Sequence, residues 1–137
     1  MIVADTNLIA YLFFETPYSE EATAVHQKDA EWAAPVLWRS EFVNVVSLYL
    51  RKNIIAYKDS LDALEFAQAT LRGKEFSVSM YSVLQFVNLS KCNAFDCEFV
   101  ALAHELDVPL VTYDEKILRE FSNIAISASD FLKSQPR

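Results

Sequence analysis

The sequence predicts an α/β fold of three layers, in which helices flank a twisted parallel β-sheet of four to five strands, within one domain spanning residues 1–137. Short apolar runs of strand length alternate along the chain with longer segments of helical periodicity. Strands that are separated by helices pair in parallel, and helices then cover both faces of the sheet. The length suits a single compact domain, and no repeat, low-complexity tract or linker is visible.

The N-terminal segment is predicted to begin with a strand. Residues 2–4 (IVA) are short and apolar, which is typical of a buried strand. A helix is expected over residues 8–14, and Ser19 is expected to cap an amphipathic helix that runs to about residue 29. Residues 31–35 (EWAAP) are predicted to be extended.

Two long helices are predicted next. Pro35 is well placed at the start of the first one, since proline is favoured in the first helical turn. Residues 36–52 are apolar on nearly every face, which indicates a largely buried helix. Residues 58–73 form a cleaner amphipathic pattern, with Gly73 as the stop signal.

The second half of the chain repeats the alternation of short strands and helices. The predicted elements are a strand over 76–79, a helix over 81–91, a helix over 96–108, a strand over 109–114, a helix over 115–121, a strand over 123–127 and a short terminal helix that starts at Ser129 or Asp130.

The composition favours a soluble intracellular protein, with the cytoplasm as the expected location. The apolar fraction is 53%, only four prolines are present, and no apolar run approaches the roughly 20 residues of a membrane span. The N-terminus has no basic lead-in and no small-residue cleavage site, so a signal peptide is not expected. Cys92 and Cys97 match no zinc or redox spacing and are expected to be reduced thiols.

The excess of acidic over basic residues makes some classes of function less expected than others. Nineteen acidic residues against twelve basic ones give a net charge of −7. Such a balance argues against nucleic-acid binding, because phosphate contacts draw on lysine and arginine, and it fits an acidic enzyme, or a protein that binds cations or a basic partner. The single glycine, Gly73, excludes any glycine-rich phosphate loop.

Two acids stand at the ends of predicted strands. Asp5 ends the first strand and Asp114 ends "PLVTYD". Because ligands of parallel sheets bind beyond the carboxyl ends of the strands, these carboxylates are expected on one rim of the sheet. The alternative is that each only caps the helix after it.

Glu41 is the acid most difficult to explain structurally. At helical spacing it falls on an inward-facing apolar stripe formed by Leu37, Trp38, Val45 and Leu48. A buried carboxylate without a partner costs several kcal/mol or becomes neutral. A partner such as Arg39 or Arg51 would offer a structural explanation, but neither lies three or four residues away along the helix.

Asp96 has a structural alternative of its own, because "NAFD" reads as a capping box with Asn93 as the cap. Taken together, however, the four acids Asp5, Glu41, Asp96 and Asp114 suggest a common occupant. A hard divalent cation such as Mg²⁺ prefers oxygen ligands and removes the repulsion between carboxylates. Such sites hydrolyse phosphodiesters by activating water and neutralising developing charge.

The sequence resembles the PIN-domain family of metal-dependent ribonucleases, and most closely the VapC toxins of bacterial and archaeal toxin–antitoxin pairs. Three blocks carry the resemblance: "IVADTN", "SEFVNVV" and "FDCEFVALAHELDVPLVTYDEKI". The order and spacing of the blocks, which cover nearly the whole chain, are more diagnostic than any one of them. The resemblance implies a PIN-like fold.

The resemblance also implies roles for individual residues. Asp5, Glu41, Asp96 and Asp114 match the acidic quartet of the family, as catalytic residues and ligands of Mg²⁺ or Mn²⁺. Thr6, Asn7 and Thr112 match the polar residues beside it and are expected to support the ligands or position water. Two departures are an Asp-Val pair, residues 107–108, where many relatives have glycine, and Glu98, whose role is open.

The family further implies a homodimer, a cognate antitoxin that covers the active site, and cleavage of RNA to 5′-phosphate and 3′-hydroxyl ends. RNA would be contacted by basic residues such as Arg39, Lys116 and Arg119, although each of these also fits an ordinary solvated face. No membrane partner is expected. Aromatic residues at helical spacing, Tyr49 and Phe66 among them, are interpreted as core or dimer interface.

Three functions therefore compete. The first is a Mg²⁺- or Mn²⁺-dependent endoribonuclease that uses a metal-activated water, as the toxin of a toxin–antitoxin pair. The alternative is a PIN fold retained as a non-catalytic protein-interaction module. The third, phosphotransfer through an aspartyl phosphate at Asp5, ranks well below both, because the expected second acid is replaced by Asn7.

Overall fold

The computed structural model describes residues 1–135, which form five strands and eight helices. The strands are all short, and their bounds are β1 (Ile2–Ala4), β2 (Trp32–Pro35), β3 (Glu75–Phe76), β4 (Leu110–Val111) and β5 (Ala125–Ile126). The helices are α1 (Thr6–Phe13), α2 (Ser19–Lys28), α3 (Trp38–Arg51), α4 (Tyr57–Thr70), α5 (Met80–Asn88), α6 (Ala94–Leu106), α7 (Glu115–Glu120) and α8 (Ala128–Lys133).

The strands form one parallel sheet in the order β3-β2-β1-β4-β5, which confirms the predicted α/β class and upper strand count. β1 is central, with Val3 paired to Ala33 on one side and to Leu110 on the other. Because β1 and β4 are parallel neighbours, the residues that follow them emerge on the same rim of the sheet. Asp5 and Thr112 are those residues, and the site is built around them.

The core forms because the central strands and α6 are almost entirely apolar. Every residue of β1 and β4 is buried, as expected for a parallel sheet covered by helices. α6 packs against β1, β2 and β4 and buries a continuous segment from Phe99 to Ala103. Elsewhere α1 packs with α2, α3 and α4, and α2 packs with α8.

The prediction that residues 36–52 form a helix buried on nearly every face is wrong. α3 buries only Trp38, Phe42 and Val46, at i, i+4 and i+8, while Val43 and Leu48 are exposed. α3 packs mainly with α1 and α4, so one stripe is fully covered. Val45, Tyr49 and Leu50 are partly buried beside that stripe, and Val43 and Leu48 face solvent. Leu48 is therefore not part of an inward stripe with Glu41.

Several predicted boundaries also shift. Pro35 ends β2 instead of starting a helix, because it pairs in register with Phe76 of β3. β3 is shorter than the predicted strand, since Ser79 is the N-cap of α5 and accepts a hydrogen bond from the amide of Ser82. The terminal helix begins earlier than predicted, at Ala128 with Ser127 as its cap.

Among residues 1–135, three residues that follow helices adopt the left-handed conformation, and the first is Asn53, with φ 56° two residues beyond the end of α3. Asp107 follows α6 with φ 53°, so an aspartate adopts the conformation for which relatives of this sequence were expected to use glycine. Gly73 has φ +75° three residues beyond the end of α4, where glycine is favoured. Within residues 1–135, no helix combines the length and apolar character that crossing a bilayer requires.

Candidate active site

Asp5 lies at the centre of the site because β1 delivers it to the rim and two donors hold its carboxylate. The Thr6 amide donates to Asp5 Oδ1 at 2.8 Å, which caps α1. The Thr112 hydroxyl, immediately after β4, donates to Asp5 Oδ2 at 2.6 Å. The prediction of a helix cap at Asp5 is thus confirmed, and the same carboxylate also ties two adjacent strands together.

Glu41 is joined to this group by a second threonine. The Thr6 hydroxyl donates to Glu41 Oε1 at 2.7 Å and links the start of α1 to the first turn of α3. Thr6 and Thr112 are buried polar residues with 5% and 0% of their surface exposed. A buried hydroxyl aimed at a carboxylate fixes its position, because an unpaired polar group in that place would be costly.

Asp114 belongs to the same network through Thr112. The Asp114 amide donates to Thr112 Oγ1 at 3.0 Å, and Asp114 Oδ1 accepts from the Ile117 amide at 3.0 Å as the cap of α7. One hydroxyl group therefore contacts Asp5 and Asp114 together. The cap uses one carboxylate oxygen of Asp114, and Oδ2 accepts no hydrogen bond from the described residues.

Asp96 lies in the first turn of α6. Asn93 is the cap and accepts from the Asp96 amide at 2.8 Å, so the capping half of the predicted box is confirmed. The Asp96 carboxylate is half-buried, and its pKa is raised by burial and by the negative charge of Asp114, against a smaller lowering effect of Lys116.

The acids perturb one another, which shows that they share a neighbourhood. Burial raises the pKa of Asp5 to about 6, with smaller contributions from the charges of Glu41 and Asp96 and opposing effects of the Thr112 and Thr6 hydrogen bonds. Burial also raises the pKa of Glu41, and the charges of Asp96 and Glu98 raise it further. The structure therefore places all four predicted acids in one electrostatic cluster, and Glu98 lies at its edge.

None of these acids forms an ion pair with a basic group of residues 1–135. The two ion pairs among residues 1–135 join the Met1 amino group to Asp29 and Arg39 to Glu75. The structural explanation considered for Glu41, a pair with Arg39, is absent because Arg39 donates to both oxygens of Glu75, at 2.9 and 2.8 Å. Repulsion between the site acids is left uncompensated by protein charges at ion-pair distance.

The carboxylate oxygens of the four acids are the kind of ligand that a hard divalent cation prefers. Residues 1–135 contain no group of three or more histidine, cysteine, aspartate or glutamate side chains close enough to hold a metal ion. Mg²⁺, however, keeps several waters and uses one or two carboxylates. Asp5 and Glu41, held by a shared threonine residue, could supply such a pair, with Asp96 and Asp114 reaching the ion through water.

The remaining residues predicted for the site, Asn7, Lys116, Arg119 and Arg39, make no hydrogen bond to the four acids within residues 1–135. Asn7 is exposed in the first turn of α1. Lys116 is exposed on α7 within electrostatic reach of Asp96, and Arg119 is exposed one turn further. Arg39 is directed to Glu75 and is not available as a free cation in this conformation.

Three tyrosines beside the site were not singled out from the sequence. Tyr11, Tyr18 and Tyr113 pack ring against ring. The pKa of Tyr11 is raised mainly by burial, with smaller effects of Tyr49, Tyr18 and the charge of Asp5. One signal was available in the sequence, because Tyr113 stands between Thr112 and Asp114.

Comparisons with known proteins agree with this architecture. Residues 2–125 match the family model of the PIN domain. Among solved structures, FitAcB from Neisseria gonorrhoeae is similar, with a TM-score of 0.74 at 16% identity over 94% of this chain and 99% of that one. A protein from Pyrobaculum aerophilum gives 0.75 at 14% identity over 96% and 86% of the two chains.

A chain of a toxin–antitoxin complex from Klebsiella pneumoniae gives a TM-score of 0.68 at 16% identity, over 93% of this chain and 98% of that one. Identities this low establish a shared fold alone. No curated protein matches the chain.

Proposed function

The chain belongs to the PIN-domain family, and from this premise we propose that it is a Mg²⁺- or Mn²⁺-dependent endoribonuclease, the toxin of a toxin–antitoxin pair. One observation carries the proposal: four acids from separate parts of the chain perturb one another's pKa or share a hydrogen-bonded threonine, and no basic side chain among residues 1–135 forms an ion pair with them. A site of this kind is destabilising unless a cation occupies it.

The four acids would have two different roles in this site. Asp5 and Glu41 would hold the cation, since Thr6 and Thr112 fix their carboxylates before any ligand arrives. Asp96 and Asp114 would hold and orient water on the other side of the cluster. Mg²⁺ or Mn²⁺, when bound, lowers the pKa of a water molecule and neutralises charge that develops on a phosphodiester.

Substrate contact would rely on local cations despite the net charge of −7. Lys116 is the best placed, because it is exposed and near Asp96. Arg119 lies on the same short helix. Arg39 would contribute only after release from Glu75, so its contribution is the weakest of the three.

The antitoxin and the second subunit would use different surfaces. A basic antitoxin segment complements the acidic rim, and a structural relative was solved as a toxin–antitoxin complex. We assign the homodimer contact to the α5 patch, a set of exposed apolar residues on α5, at its C-cap and at the start of α6. Its members are Met80, Tyr81, Leu84, Leu89 and Phe95. No residue of α5 is fully buried, which is unusual for so apolar a helix in a monomer.

A non-catalytic interaction module is the second candidate. It is favoured by the absence, within residues 1–135, of three acids already close enough to hold a metal, together with the exposed α5 patch. A module of this type would keep the fold and its partner surface without turnover.

RNA cleavage separates the two candidates. Purified protein should cleave single-stranded RNA when Mg²⁺ or Mn²⁺ is added and should lose this activity with EDTA. Asp5→Asn should reduce the rate at least 100-fold, as expected for loss of a group that holds the metal. Asp62→Asn, at an exposed position of α4, is the matched control and should retain full activity. Equal activity of the Asp5→Asn and wild-type proteins, or cleavage that persists in EDTA, would rule out the proposal.

A further inference from the structure

Three tyrosines form a closed aromatic triangle beside the acidic cluster. The ring centroids of Tyr11 and Tyr18 are 5.0 Å apart with the planes at 31°, those of Tyr11 and Tyr113 are 5.0 Å apart at 77°, and those of Tyr18 and Tyr113 are 5.2 Å apart at 53°. We call this group the tyrosine triangle. Each ring contacts both others, within the distance range of favourable aromatic pairs.

The triangle is built on the same elements as the acids. Tyr11 lies on α1, whose N-cap is Asp5, and the Asp5 charge acts on its hydroxyl. Tyr113 stands between Thr112, which donates to Asp5, and Asp114. Tyr11, which packs against both other rings, is thus the member of the triangle that lies within electrostatic reach of Asp5.

Two features make the triangle a preformed surface. The Tyr113 hydroxyl donates to Glu21 Oε1 at 2.8 Å, so α2 holds that ring in one orientation. Tyr11 and Tyr113 are half-buried, while 48% of Tyr18 is exposed. Rings that are already packed lose little conformational entropy when a ligand stacks on them.

We propose that the tyrosine triangle binds an unpaired nucleobase next to the scissile phosphodiester, with Tyr18 as the ring on which the base stacks. This inference rests on the proposed function and adds to it a binding site for one base of the RNA, a base that is free to leave its own stack. Aromatic rings hold such bases without sequence preference, because every base has a π face.

Stacking would also help an acidic protein to bind RNA, which is itself negatively charged. A protein with a net charge of −7 gains little from general phosphate attraction. Base stacking contributes affinity that does not depend on positive charge, and the exposed ring of Tyr18 offers a surface for it.

The experiment measures binding separately from cleavage. In an Asp5→Asn background with Mg²⁺ present, affinity is measured for a short fluorescent single-stranded RNA of mixed sequence and for the same RNA with abasic sugars. We expect tighter binding of the RNA that carries bases. Tyr18→Leu, which keeps apolar bulk without a π face, should weaken that binding about tenfold and leave abasic RNA unaffected.

Conservative variants distinguish stacking from packing. Tyr18→Phe and Tyr18→Trp should bind within about twofold of the parent, because both retain a flat ring. Tyr57→Leu, at an exposed tyrosine that makes no aromatic ring contact within residues 1–135, is the control and should bind like the parent. The melting temperature of each variant checks that the fold is intact.

The outcomes separate this inference from the proposed function. Equal affinity for RNA with and without bases, or equal losses in the Leu and Phe variants, would overturn the stacking role even if the wild-type protein cleaves RNA. A preference for bases that Tyr18→Leu abolishes would support stacking even if the wild-type protein cleaves nothing, in which case only the proposed function would fall.

Discussion

Replacing Asp5 with asparagine should stabilise the metal-free protein while it removes activity. The carboxyl group of Asp5 has an ordinary pKa of 3.8, and burial raises this to about 6 in the folded chain. The folded state thus binds the proton more tightly than the unfolded state. Stability contributed by this group is complete below about pH 4, and it is lost as the pH rises to and beyond about 6.

The size of the effect follows from the same values. A difference between about 6 and 3.8 corresponds to about 3 kcal/mol once the pH exceeds both. Asp5 is half-buried, so solvent screening reduces this to about 2 kcal/mol. Asparagine resembles the protonated acid in having one acceptor and one donor group, so the variant avoids the penalty of the charge.

Urea unfolding in EDTA at a series of pH values provides the assay. We expect Asp5→Asn and wild type to be equally stable near pH 4, and the variant to gain about 2 kcal/mol by pH 7.5, which raises the melting temperature by roughly 5–10 °C. Asp62→Asn, at an exposed position, should show no comparable pH-dependent gain. A variant that is less stable than wild type at pH 7.5, or a difference independent of pH, would refute the reasoning.

Three further predictions test the metal, the threonine network and the dimer surface. Mg²⁺ at 100 times its dissociation constant should stabilise the wild-type protein by about 2.7 kcal/mol, and Glu41→Gln should lose most of this increment and the corresponding calorimetric signal with Mn²⁺. An unchanged signal in that variant would place the cation elsewhere. The nearly isosteric change Thr112→Val should lower the free energy of unfolding by about 1–3 kcal/mol, because it removes the donor to Asp5 and the acceptor for the Asp114 amide. The rate of RNA cleavage should fall about 10- to 100-fold in the same variant. Wild-type values in both assays would contradict this prediction. Leu84→Glu should convert a dimer into a monomer in light scattering after size exclusion, whereas Gln85→Glu, which adds the same charge at the next exposed residue, should remain a dimer.

The sheet and its acids were predictable from sequence because their signals are local. Ile2–Ala4 is a short apolar run that ends in an acid, and parallel pairing then brings Asp5 and Thr112 to one rim whatever the rest of the chain does. Glu41 was predictable in a different way, as a charge whose position in an apolar helix had no local partner. Its connection to Thr6 depends on how α3 packs against α1 and cannot be read from spacing.

Features set by tertiary packing were the ones the sequence did not specify. The apolar pattern of α3 does not reveal that Val43 and Leu48 stay exposed, since that depends on which other helices pack against α3. β3 is shorter than its apolar run because Ser79 caps the next helix. The tyrosine triangle joins three separate elements, and no periodicity within one element reports such a contact.

The structural and functional explanations of Asp5 and Asp114 are compatible. A helix cap needs one carboxylate oxygen and fixes the side-chain torsions of the acid that supplies it. In Asp114 the second oxygen accepts no bond from the described part of the chain, and in Asp5 it accepts only a hydroxyl, so lone pairs of both acids remain for a cation. Capping therefore holds each carboxylate in place at the rim. If the metal increment disappears in Glu41→Gln while both caps are intact, the capping contacts alone are insufficient and the cation depends on the cluster as a whole.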